Sequence, residues 1–238
     1  MSPILLPAPE HDFCTTDLVS WTLGNHAYDQ DRKIYIDADR PERSLSASET
    51  RAMVRQLTAG FLAHGVKPGD CVCIYAFNDI LYPVLLLGII GAGGQFTGCN
   101  PAYTAAELTH HLRITNARFL ISEVELLQKV KTAVVESGIP NSNVFVCDGE
   151  GTTMVGHKSV QDLFQYGTVD WVRFESHEQA KTTTAAMLST SGTTGLPKAA
   201  MISHHSFIMM NHLINDSQEK PYEVHSHLVA AFGCFLIS

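Results

Sequence analysis

The sequence is poor in positive charge. Its 16 Lys and Arg against 24 Asp and Glu give a formal net charge of -8, and no basic block interrupts the pattern. A nucleic-acid surface is therefore excluded, and any polyanionic ligand has to be held by local groups. Long apolar runs are missing as well. The most apolar stretch, residues 80 to 94, is broken by glycine and falls short of the ~20 residues that cross a bilayer, so no membrane span is expected and the stretch reads as a buried helix. The leading Met1-Ser2-Pro3-Ile4-Leu5-Leu6-Pro7 lacks the basic start and long apolar core of a signal peptide.

Cysteine is sparse. Cys14, Cys71, Cys73, Cys99, Cys147 and Cys234 are scattered, mostly within apolar runs, and read as buried thiols of a reducing, intracellular compartment, cytoplasmic or alternatively peroxisomal. Cys71-Val72-Cys73 is read as presenting its thiols to opposite faces of a strand, which favours neither a disulfide nor a shared metal. The 12 histidines occur without H-E-x-x-H or mixed Cys/His spacing, so no metal ligands are assigned. The pairs His110-His111 and His204-His205 are expected in structural or surface roles, with capping or surface exposure preferred for the second pair over a place in a nucleotide pocket. Also absent are the G-x-S-x-G elbow of a serine hydrolase and the Walker A order, because Ala199 rather than Ser or Thr follows Lys198.

What is present is a loop of glycine and hydroxyl residues between two short apolar runs. Leu188-Ser189-Thr190-Ser191-Gly192-Thr193-Thr194-Gly195-Leu196-Pro197-Lys198 is flanked by Ala185-Ala186-Met187-Leu188 and Ala199-Ala200-Met201-Ile202, both expected as buried strands. Gly192 and Gly195 allow close backbone approach to a ligand. Successive amides in such a turn make an anion-binding nest, with the hydroxyls of Thr190, Ser191, Thr193 and Thr194 as further donors. Lys198 adds a point charge of the sign a polyphosphate needs. A flexible hairpin loop is the bland alternative that composition alone leaves open.

With 238 residues and 45% hydrophobic content, the chain is expected to fold around a sizeable core. Residues 1–45 read as a lead-in with one short strand, Ile34 to Asp37. Ser46-Ala47-Ser48-Glu49 is a capping box that opens a helix with Val54, Leu57, Phe61 and Leu62 on one face and Gly65 as its stop. Cys71 to Tyr75 is a strand, Leu81 to about Ile90 a helix capped by Asn78 or Asp79, and Gln95 to Cys99 a strand. Thr104-Ala105-Ala106-Glu107 opens a helix with Leu108 and Leu112, and Arg118 to Ile121 is the next strand. Val124, Leu127, Val130 and Val134 form a helical stripe, Val144 to Cys147 a strand, and Ser159 to Asp162 a short helix. Gly149 to His157 is expected as an exposed loop, and residues 169 to 184 as a polar lead-in to the glycine loop. A helix is placed from Ser206 through Leu213. Such alternation of strand and helix is the pattern of an α/β sheet with right-handed crossovers.

Ser191-Gly192-Thr193-Thr194-Gly195-Leu196-Pro197-Lys198 resembles the signature loop of the adenylate-forming superfamily. From about Ser46 to His205 the order of elements is similar to acyl-CoA synthetases of the coumarate-CoA ligase type, including Phe61 to Val72, Gly91 to Gly94 and Asn100 to Leu108. The resemblance implies layered parallel and mixed sheets flanked by helices, with residues 46–238 as an incomplete N-terminal AMP-binding domain and the C-terminal domain absent. It also implies ATP-dependent activation of a carboxylic acid as its acyl-AMP, then transfer to CoA, with Mg²⁺ accompanying ATP. Thr190, Ser191, Gly192, Thr193, Thr194, Gly195 and Lys198 would hold the phosphates. The departures are Ala199 in place of the family's Gly, no Asp near Thr182 to Thr184, and Gly233 where the family has His. Catalytic residues are not assigned within the chain, which by itself is expected not to turn over. A non-catalytic nucleotide-binding or interaction remnant is the alternative, and a protein partner is expected over apolar surface at Leu228, Val229 and Phe232.

Overall fold

The computed structural model describes residues 16–24, 29–147, 156–190 and 197–216, with side chains as far as residue 212. The expected loop at 149–157 falls largely outside them, and Leu228, Val229 and Phe232 entirely so. Helix α1 (Leu18–Leu23), which no sequence signal announced, is capped by Asp17, whose Oδ1 accepts from Ser20 N at 2.8 Å. It buries Leu18, Val19 and Leu23. Strands β1 (Lys33–Ile36) and β2 (Ser44–Ser46) pair antiparallel as a small separate sheet.

The expected capping box starts α2 (Ala47–Ala63): Ser46 N donates to Glu49 Oε2 at 2.7 Å and Glu49 N to Ser46 Oγ at 3.2 Å. Val54, Leu57 and Phe61 are fully buried, but Leu62 is 42% exposed. One position is a 100° step around a helix, and here it carries Leu62 off the core face.

The main sheet takes β3 (Cys71–Tyr75), β4 (Gln95–Cys99), β5 (Ala117–Glu123), β6 (Val144–Cys147), β7 (Lys158–Ser159), β8 (Thr184–Thr190) and β9 (Lys198–Ser203) in the order β7-β6-β5-β3-β4-β8-β9. Every pair is parallel except β8–β9. Helices α3 (Tyr82–Gly91), α4 (Ala105–Ile114) and α5 (Leu127–Ser137) connect β3 to β4, β4 to β5 and β5 to β6. The chain steps from β3 to β4 on one side and then back to β5 on the other, so right-handed crossovers put α3 on one face and α4 and α5 on the opposite one. This is the expected α/β class.

Strand β3 shows the two faces. Val72 and Ile74 belong to one core with residues of α1, α2 and α3, while Cys71, Cys73 and Tyr75 belong to a second with Leu108, Leu112, Val130 and Val134 of α4 and α5. The opposite-face reading of Cys71 and Cys73 is thereby corrected: strand residues two apart share a face, because side chains alternate with period two.

Other expectations change in detail. Helix α3 has Leu81 at its N-cap without a side-chain cap; Asp79 Oδ1 accepts from Leu81 N at 2.8 Å while its carboxylate is held by Arg43. Val124 is 38% exposed and sits in a 3-10 turn before α5 rather than on its buried stripe. The stretch expected as a polar lead-in contains buried Trp171, whose indole N–H donates to Ser20 Oγ at 2.8 Å, and helix α6 (His177–Thr182), capped by Ser176. Strand β9 is not buried as expected: among the described residues no strand pairs with its outer edge, and Met201 is 72% exposed. Helix α7 (His204–Asp216) follows it directly and begins two residues before Ser206.

Candidate functional site

Parallel pairing decides where the glycine loop emerges. Strand β8 runs alongside β4, with Phe96 opposite Ala186 and Thr97 opposite Met187. The chain leaving β8 therefore opens at the edge where the carboxyl ends of β3 to β6 also lie, the edge at which open α/β sheets bind ligands. Strand β9 returns antiparallel with Lys198 opposite Thr190, and Thr190 Oγ1 donates to Lys198 O at 3.3 Å. Thr190 and Lys198 are thus brought together as the two posts of the loop, and Lys198 is exposed. Ser191, Gly192, Thr193, Thr194 and Gly195 lie outside the described residues.

The residues just outside Thr190 and just before Lys198, Ser189 and Pro197, are held from one helix. The second capping box, with Thr104 N donating to Glu107 Oε2 at 2.8 Å, starts α4 and directs consecutive His110 and His111 toward the two stems. A carbonyl oxygen only accepts, so His110 Nε2–H donates to Pro197 O at 3.0 Å. On the other stem His111 Nδ1 lies 2.8 Å from Ser189 Oγ, and Nε2 lies 2.9 Å from Thr97 Oγ1. Thr97 has one hydroxyl proton and donates it to Met187 O at 2.7 Å. Toward the imidazole it must accept. In the neutral ring Nε2 therefore carries the proton, and Nδ1 accepts from the Ser189 hydroxyl. A cavity of about 480 Å³ opens beside these contacts, lined by Tyr103, Glu107, His110, Ser189 and Pro197 among others.

A second cavity of about 480 Å³ lies at the carboxyl ends of the strands, with Phe77, Asp79, Tyr82 and Glu123 in its wall. Arg43 also lines it, reaching Asp79 at 2.6 and 2.8 Å and Asp37 at 3.0 Å. The Asp79 hydrogen bond raises the Arg43 guanidinium above its ordinary range. Glu123 accepts from Phe77 N at 2.9 Å, yet burial, helped by neighbouring Glu125 and Asp79, pushes its carboxyl up. An acid beside an anion-neutralised arginine does not attract phosphate.

Sequence reasoning left His110, His111, Thr97 and Ser189 outside the site. The one local signal was the adjacency of two histidines on a well-capped helix. What they grip lies 87 and 78 positions further along the chain, which no local pattern reports. His204, by contrast, is buried rather than at the surface, and of the two roles expected it takes capping, though of a distant helix: its Nδ1 accepts from Leu18 N at 3.0 Å, at the start of α1.

The sequence matches the family described as AMP-binding enzyme over residues 25–235. Phenylacetyl-CoA ligase epaB of Aspergillus niger is 41% identical over 217 residues, covering 89% of this chain and 40% of the ligase. Nicotinic acid-CoA ligase pyr1 of Aspergillus fumigatus is 34% identical over 235 residues, covering 88% of this chain and 40% of its own length. Among solved structures, the long-chain-fatty-acid-CoA ligase FadD1 of Archaeoglobus fulgidus superposes with a TM-score of 0.73 at 21% identity, over 88% of this chain and 41% of that one. The chain therefore spans about 40% of the length of the curated relatives it matches.

Proposed function

Because the chain belongs to the family of AMP-binding enzymes, we propose that it serves the ATP-dependent activation of a carboxylic acid, with residues 46–238 contributing to the nucleotide-binding domain. The acid's carboxylate oxygen bonds to the α-phosphorus of ATP, the bond from that phosphorus to the bridging oxygen breaks, and pyrophosphate leaves. The acyl-AMP then passes its acyl group to the thiol of CoA and releases AMP. Relatives bearing the names of CoA ligases support both half-reactions.

The observation that carries this reading is the position of Thr190 and Lys198. Strands β8 and β9 set the two residues opposite each other at the carboxyl edge of the sheet, with Lys198 exposed. Negative charge accumulates on the departing β- and γ-phosphates, and fixed donors stabilise it more than mobile water does, because they need no reorganisation as the bond breaks. Backbone amides and hydroxyls of Thr190 to Gly195 supply those donors in this reading, and Lys198 the compensating charge. Mg²⁺ enters with the polyphosphate. Contacts of α4 with Ser189 and Pro197 fix the chain on either side of these residues before ATP arrives.

Acid-dependent exchange of pyrophosphate into ATP tests the proposal in the protein that carries this chain. A panel including phenylacetic, nicotinic and long-chain acids should give exchange with at least one. Folded protein that exchanges with none, while binding no ATP, overturns the reading.

A further inference from the structure

Face sharing along β3 brings two thiols and an imidazole together beneath α4. Cys73 and Tyr75 point to the α4 side, and Tyr75 is opposite Cys99 in the parallel register with β4, so Cys99 is the diagonal neighbour of Cys73 on that face. His111 descends from α4 onto the pair. The Cys73 and Cys99 sulfurs are 3.7 Å apart, and the two sulfurs and a ring nitrogen of His111 all lie within 4.8 Å of one another. All three residues are buried.

We propose that Cys73, Cys99 and His111 form a binding site for a zinc ion. Zinc–sulfur bonds of about 2.3 Å at a tetrahedral centre set two thiolates about 3.8 Å apart, which is the separation already present. A disulfide suits the pair less well. Diagonal positions on neighbouring parallel strands put the α-carbons about 8 Å apart from strand spacing and rise, beyond the usual span of a disulfide.

Charge selects the ion. Two thiolates, one neutral imidazole and a divalent cation sum to zero, the arrangement a buried site tolerates best, whereas a monovalent copper ion leaves a net negative charge in the core. Calcium and magnesium prefer oxygen. Binding releases the two thiol protons. If Nε2 is the ligand, the ring proton moves to Nδ1, which then donates to Ser189 Oγ, giving the outer hydrogen bond that orients a metal-bound imidazole. Thr97 Oγ1, 2.9 Å from Nε2, is placed to take the fourth position. Zinc here would lock α4 onto β3 and β4, and through His111 would fix the Ser189 stem of the loop.

The test is to refold the 238-residue chain under reducing conditions with zinc or with chelator, remove excess metal, and measure bound zinc by mass spectrometry. About one zinc per chain is expected. Cys73→Ser, Cys99→Ser and His111→Gln should each weaken zinc binding roughly tenfold or more, while Cys71→Ser on the same strand keeps it. Cobalt(II) in place of zinc should give thiolate-to-cobalt charge-transfer absorption in the wild-type chain, a readout that holds even where a variant fails to fold. Reduced, folded wild-type chain that holds no zinc and shows no such absorption overturns the proposal, as does zinc retained equally by all three ligand variants.

Discussion

Ser189 and His111 are 78 positions apart in the chain and 2.8 Å apart in the fold, joined by a hydrogen bond from the serine hydroxyl to Nδ1 of the buried imidazole. The contact ties the strand that enters the glycine loop to a helix from the preceding βαβ unit. Since Pro197 O is held by the neighbouring His110, α4 constrains the chain on both sides of the loop.

Ser189→Ala leaves the His111 acceptor unsatisfied in a buried setting and should cost about 1–3 kcal/mol. Urea unfolding of the two proteins measures the difference, and Ser189→Thr, which keeps a hydroxyl, should recover part of it. An unchanged midpoint for the alanine variant contradicts the hydrogen bond.

Lys198→Ala should lower acid-dependent pyrophosphate exchange by roughly a hundredfold, the scale of losing one preorganised electrostatic group. Affinity for the acid alone should be unaffected. Equal exchange rates for variant and wild type remove Lys198 from the phosphate site.

His204 gives stability a pH dependence. Burial lowers its pKa to about 4, an effect that Asp17 only partly offsets, and Nδ1 must stay unprotonated to accept from Leu18 N. The unfolded chain therefore takes up a proton near pH 6.5 that the folded chain refuses until about pH 4. Stability from this residue is complete above pH 6.5 and is lost as pH falls through that window, with a slope approaching about 1.4 kcal/mol per pH unit. Unfolding midpoints compared at pH 7 and pH 5 should fall less in His204→Gln than in wild type.

Gly60→Ala tests the packing of α2 on the 3-10 turn Val160–Gln165. A β-carbon at Gly60 would stand 2.1 Å from the carbonyl oxygen of Leu163, and a backbone atom cannot step aside as a flexible side chain can. A loss of about 1–3 kcal/mol or more is expected, read as a drop in the thermal midpoint. A neutral effect means that α2 and this turn do not pack as described.

Period, capping and turn chemistry act between residues a few positions apart, and these features were legible in the sequence. The boxes at Ser46 and Thr104 formed as expected, β3, β4 and β6 kept their bounds, and Phe61 is buried on the face its spacing assigned. The strands that flank the glycine loop were legible for the same reason, as short apolar runs on either side of it. Helix α1 escaped because six residues make too weak a periodic signal, and it is held by Trp171 and His204 from far along the chain. Strand order decided the rest. Only the pairing of β4 with β3 and β8 puts Cys99 beside Cys73 and lays His111 against Ser189, because hydrogen bonds between strands join residues that sequence distance keeps apart.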